Sequence, residues 1–146
     1  MKKILKLSPR SQGVLHNPTF VVGINPARPL KGNPHLAWTG PRGASLVQRA
    51  AKGKNNVYFT NTFNWYVHNS VSSETKMRYR YRGYLELLED VERLNPNKII
   101  CLGFDAFYTV RFFFYDRKII HLQHPSYVYR FTKDHDAYVK KLRRLL

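Results

Sequence analysis

The sequence predicts an α/β fold: a three-layer sandwich with a central four-stranded, mostly parallel sheet flanked by helices. Two observations carry this prediction. Four short apolar runs, each about the length of a buried strand, are spread along the chain, and segments with helical apolar spacing lie between them. Strands that alternate with helices build a parallel sheet whose two faces are both covered. No repeat, low-complexity tract or linker divides the chain, so residues 1–146 read as one domain.

The elements follow in order. Residues 19–24 form the first strand and residues 56–62 the second. Between them Leu46, Val47 and Ala50 line one face of a short helix that stops at Gly53. Tyr84, Leu87, Leu88, Val91 and Leu94 recur at helical spacing, and Asn95-Pro96 ends that helix. Residues 98–102 are the third strand, 106–113 a helix and 118–123 the fourth strand. A last helix over residues 134–146 turns Val139, Leu142 and Leu146 inward. The residues after the fourth strand show no periodicity and read as a loop with exposed aromatics.

Composition narrows the function. The single cysteine, Cys101, excludes a disulfide framework and a cysteine-ligated zinc or iron–sulfur site within one chain. Six scattered histidines show no metal-ligand spacing on a helix, so no metal is expected. No apolar run approaches about 20 residues, and the basic N-terminus lacks a signal-peptide core. The reading is an intracellular protein, in cytoplasm, nucleoid or nucleus. Net charge is +16, and no Asp or Glu precedes Glu74. A fold seldom needs such a bias, whereas a polyanion rewards it. Aromatic residues make up 14% of the chain and offer faces on which bases stack. A membrane surface or an acidic protein fits the charge as well, but charge and aromatics together favour nucleic acid.

In a parallel sheet, chemistry gathers beyond the carboxyl ends of the strands. The first strand ends in Gly23-Ile24-Asn25-Pro26-Ala27, where Gly23 allows a sharp turn and Pro26 stiffens it. Asn25 either faces the cleft or only makes the turn. The second ends in Thr60-Asn61-Thr62. The Asn61 amide can present a donor and an acceptor to a nucleobase edge, or cap its own backbone. The fourth is followed by His124-Pro125-Ser126-Tyr127-Val128-Tyr129-Arg130, where Pro125 restricts His124 to an extended backbone. His121 reads as an ordinary strand histidine. Trp38, among Gly and Pro residues, is either a core anchor or a stacking platform. The chain has no Gly-x-Ser-x-Gly elbow and no phosphate-binding loop. Acids such as Glu86, Glu89 and Glu92 read as solvated helix positions rather than a catalytic carboxylate pair.

Together these segments resemble the uracil-DNA glycosylase superfamily. Gly23-Ile24-Asn25-Pro26 is similar to the Gly-x-Asn-Pro of its mismatch-specific and single-strand-selective branches, and His124-Pro125-Ser126 to its His-Pro-Ser. The segment 38–44 and Thr60-Asn61 resemble the iron–sulfur branch, whose cluster cysteines are absent here. Residues 94–103 resemble the family's third strand with its Leu-Gly end. The resemblance spans residues 19–131.

It implies a monofunctional DNA glycosylase that flips uracil or a related, including 5-substituted, pyrimidine out of DNA and leaves an abasic site. No cofactor is implied, and a monomer is expected. A non-catalytic DNA-binding protein on the same fold is the alternative. The implied roles are Asn25 holding the attacking water and His124 donating to a carbonyl oxygen of the leaving base. Gly23, Ile24, Ala27, Trp38 and Asn61 are implied to form the base pocket, with Asn61 reading the pairing edge and Trp38 stacking. Arg28, Lys31, Arg42, Ser126 with the backbone amides near it, and Arg130 are expected on phosphates, with Tyr127, Val128 or Tyr129 as the wedge that fills the emptied stack. Ala27 stands where the most uracil-selective relatives carry a Tyr that excludes thymine, which leaves space at the base's 5-position.

Overall fold

The computed structural model describes residues 4–6, 12, 15–24 and 42–146. Its centre is a four-stranded, all-parallel sheet of β2 (Thr19–Gly23), β3 (Val57–Asn61), β5 (Lys98–Leu102) and β6 (Ile119–Leu122), in the order β3-β2-β5-β6. A separate antiparallel pair joins β1 (Ile4–Lys6) to β4 (Trp65–Val67), with Leu5 opposite Tyr66. The four sheet strands match the predicted runs to within a residue or two at each end. The β1–β4 pair was not foreseen; three residues are too few to show a period.

Alternation along the strands sends side chains to both faces, and both are apolar. Val21, Ile100 and Leu102 point to one side, where Leu46, Val47, Ala50, Val128, Val139 and Leu142 meet them. Phe20, Val22, Ile99 and Cys101 point to the other, against Leu87, Val91, Leu94, Ala106 and Val110. The first layer is built by α1 (Gly43–Ala51), α4 (Pro125–Phe131) and α5 (His135–Leu145), the second by α2 (Ser73–Leu94) and α3 (Phe104–Phe113). This is the predicted three-layer sandwich. Burial leaves the Cys101 thiol with a pKa pushed up to about 12, an inert core side chain.

Two elements depart from the sequence reading. The α2 helix starts at Ser73, eleven residues before Tyr84, the first apolar position that marks it, and is capped by Ser72, whose hydroxyl accepts from Thr75 N at 3.2 Å. Its N-terminal half is polar and aromatic, so apolar spacing does not mark it. It ends at Asn95, in the left-handed conformation at φ 45° with its N–H on Val91 O. One buried carboxylate sits in this layer. Asp90 accepts from Tyr58 OH at 2.9 Å and from Arg93 Nη2 at 3.2 Å, which meets the need of a buried charge for partners. The second departure is α4. The segment after His124 is a helix of seven residues and not a loop, with Pro125 at its first position.

Candidate active site

All four parallel strands end on one edge. Gly23 and Asn61 are register partners, so the ends of β2 and β3 lie side by side. The pairing runs on past the strands. Thr62 N donates to Gly23 O at 2.8 Å and Phe63 N to Ile24 O at 3.2 Å, while Thr62 Oγ1 donates to the same Ile24 oxygen at 2.6 Å. Gly23 and Ile24 are thereby fixed on the edge, immediately before Asn25. Asn25, Ala27, Arg28, Lys31 and Trp38 lie outside the described residues.

Asn61 is 3% exposed. Its Nδ2 donates to Asn64 Oδ1 at 3.3 Å, and Asn64 Nδ2 donates to Thr60 Oγ1 at 2.9 Å. This short relay fixes the plane of the Asn61 amide and commits one of its N–H groups; an amide has a second N–H and an oxygen besides. Asn64, itself 2% exposed, is a site residue that sequence reasoning missed. Its signal was available in the Asn-x-x-Asn spacing at a strand end.

His124 follows β6 but does not stay over it. A Cβ built on Gly103 would lie 3.3 Å from His124 Cβ and 3.4 Å from its Cδ2, so the ring rests on the end of β5. Gly103 has φ 98°, a conformation that favours glycine, and its bare Cα leaves room for the ring. Asn61 at the end of β3 and His124 over the end of β5 thus flank β2, the strand that leads into Asn25.

The hydrogen bonding of His124 selects one tautomer. Its Nδ1 accepts from Ser126 N at 3.1 Å, so the proton of a neutral ring sits on Nε2. Burial lowers the imidazole pKa below 6.5, which favours the neutral form. The arrangement is a neutral imidazole with Nε2–H as a donor. It also revises one expectation. The backbone amides after His124 do not await phosphate: Ser126 N serves Nδ1, and Tyr127 N and Val128 N donate to His124 O at 3.0 and 3.2 Å.

Ser126 touches the start of α1. A Cβ on Gly43 would lie 2.7 Å from Ser126 N and 2.8 Å from Pro125 C, so only glycine permits this approach. The exposed Arg42, at φ 62°, immediately precedes Gly43. Along α4, Tyr127 is 51% exposed and lies 5.1 Å from the Phe131 ring, and Tyr129 lies 5.0 Å from the His135 ring. Arg130 is exposed. Val128 is a correction. The helix turns it inward, where it is 2% exposed in the core against α1 and α5, and it cannot enter a base stack. A loop reading gives no reason to separate it from its neighbours; the period of a helix does.

His121 lies on β6, as expected of a strand histidine. Its ring stacks on Phe104 at 4.3 Å, and its buried Nε2 has no hydrogen-bond partner among the described residues.

No curated protein matches the chain. A family model does: that of the uracil DNA glycosylase superfamily matches residues 11–146. The match takes in the whole sheet, the Gly23–Asn61 edge and the His124 segment just described. With its fold and nearly all of its length accounted for in this way, the chain belongs to the uracil DNA glycosylase superfamily.

Proposed function

We propose that the protein is a monofunctional DNA glycosylase that extrudes uracil, or a pyrimidine related to it, and hydrolyses its N-glycosidic bond. Family membership supports glycosylase chemistry on DNA in general. The observation that carries the finer reading is the tautomer of His124, a neutral ring whose Nδ1 accepts from Ser126 N and whose proton therefore sits on Nε2.

Cleavage of the bond between C1′ and the base nitrogen leaves positive charge on the sugar and negative charge on the base. The Nε2–H of His124 meets that negative charge at a carbonyl oxygen of the base, where a preorganised donor counts most. A neutral ring suits the task, because it donates without holding a full charge against the substrate beforehand. Asn25 orients the water that adds to C1′; an amide is a weak base, so positioning rather than proton removal is its contribution. The Asn61 amide, held by Asn64, meets the pairing edge of the base. Tyr127 or Tyr129 enters the gap left by the flipped base. The small Ala27 admits substituents at the base's 5-position.

A labelled oligonucleotide with a single uracil, incubated with the protein and then treated with alkali, tests this directly. The expected result is an alkali-dependent break at the uracil, with none before alkali. Substrates carrying 5-hydroxymethyluracil or thymine run beside it. If no alkali-labile site forms on any of them while the DNA is bound, the chain is a binding protein and not an enzyme.

A further inference from the structure

The N-terminal half of α2 stands beyond the sheet. Gly83 passes so close to the end of β3 that a Cβ there would lie 2.4 Å from Phe63 Cα. From Gly83 back to Ser73 the helix continues for ten residues, roughly 15 Å at its usual rise, past the edge that carries Asn61 and His124. It is braced by β4 and the turn that follows it. Trp65 meets the Tyr79 ring at 4.8 Å, and Lys76 Nζ donates to Asn69 O at 3.0 Å.

The cations on this overhang are not spaced or placed as a helix alone would favour. Lys76, Arg78, Arg80 and Arg82 crowd its first half, with Glu74 the one acid there, while Glu86, Glu89, Asp90 and Glu92 fill the second. Lys76 with Arg80, and Arg78 with Arg82, stand four residues apart, a spacing at which like charges weaken a helix. The helix dipole also prefers cations at the opposite end. Arg80 has a structural use, lying 5.4 Å over the Phe63 ring. Arg78 is paired with Glu74 at 2.7 Å, but the two side chains are 71% and 76% exposed, so water weakens the pair. Arg82 lies 5.6 Å over the Tyr79 ring. On the outer face that Arg78 and Arg82 share, Met77 and Tyr81 are 66% and 65% exposed.

We infer that this overhang is a second DNA contact, in which Arg78 and Arg82 neutralise phosphates flanking the flipped nucleotide and Tyr81 lies along the same strand. The partner's identity rests on the glycosylase reading; the placement rests on the fold. Cations interleaved with exposed aromatics, next to the edge where the base enters, match a polyanion with stacking faces. The second half of α2, acidic and beside the sheet's body, turns the same strand away.

The test is a pair of charge-matched double variants. Arg78→Gln/Arg82→Gln removes two cations four residues apart on the overhang. Lys140→Gln/Arg144→Gln removes two at the same spacing on α5, whose end lies at the opposite, amino edge, where Arg143 donates to Ala50 O and Lys52 O. Each is titrated against a labelled duplex with a tetrahydrofuran abasic analogue across a range of salt. The α2 pair should lower the slope of log K against log salt by about two and weaken binding by about tenfold. The α5 pair should change neither and should keep the excision rate constant at saturating enzyme. If the α2 pair melts early, Arg82→Gln alone, taking about one from the slope, carries the test. Equal losses from the two pairs, or none from the α2 pair, would overturn the inference and leave the glycosylase reading intact. A wild-type protein that neither binds the duplex nor makes abasic sites would sink both.

Discussion

His124 carries two jobs through its two ring nitrogens, and they can be separated by substitution. Nδ1 accepts the Ser126 amide and so caps α4; Nε2–H is the donor proposed to meet the base. His124→Ala removes both. Loss of a side-chain cap costs about 1 kcal/mol of stability, which for a chain of this length lowers Tm by about 2–4 °C. Loss of one preorganised donor to a developing anion costs about 10²–10³ in the chemical step. Affinity for DNA should hardly move, because neither atom is expected on phosphate. His124→Asn separates the two effects. Its short amide oxygen can still accept from Ser126 N, so stability should return, but the group is too short to reach the base, and the rate should stay low. Single-turnover excision, thermal melting and DNA titration of the three proteins make up the assay. Rate and affinity falling in the same proportion would make His124 a binding residue. A His124→Asn variant that recovers rate together with stability would show that the cap, and not the donor, was what mattered.

Three further outcomes follow from the geometry. Burial holds the folded His124 pKa below 6.5, so between that lower value and 6.5 the unfolded chain binds more protons than the folded one. Stability should therefore fall as pH drops from about 6.5 through the folded pKa, and urea midpoints of wild type and His124→Asn compared over about pH 5 to about pH 8 should show the slope only in wild type. Asn61→Asp sets a carboxylate against Asn64 Oδ1 unless Asn64 turns over, which Thr60 Oγ1 can accommodate by donating instead. Uracil excision should weaken and cytosine gain in a competition between the two substrates; an unchanged preference removes Asn61 from the pocket. Gly43→Ala presses a methyl into the backbone at Pro125 and Ser126, so stability should fall by about 1–3 kcal/mol, with excision falling further as His124 is displaced. Denaturant melts alongside single-turnover rates check this, and wild-type values in both would mean that the close approach of α1 and α4 is dispensable.

What could be read from the sequence was whatever a period or a strand end marks. The four sheet strands and the apolar half of α2 declare themselves because their side chains must alternate or recur to reach two buried faces. Asn61 and His124 could be picked out because they follow such strands. Val128 was misjudged because α4 is only two turns long, too short for its pattern to stand out among aromatics that are themselves apolar. Asn64 and Gly103 act at second hand, one through the Asn61 amide and the other by making room for the His124 ring; the Asn-x-x-Asn spacing marks Asn64, whereas the role of Gly103 depends on packing, which one-dimensional spacing does not carry. The overhang of α2 escaped for the opposite reason: its outer face is nearly all polar or aromatic, so no apolar stripe announces a helix there.

The contact between Trp65 and Tyr79 gives the protein a built-in optical probe. There are two tryptophans in the chain, Trp38 and Trp65. With Trp38 replaced by Phe, all indole emission would come from the seam between β4 and the basic end of α2, with Tyr79 close enough to pass its excitation to the indole. Arrival of unlabelled DNA on the overhang could then be followed by emission alone, and a change in it that precedes base release would order the two events in time.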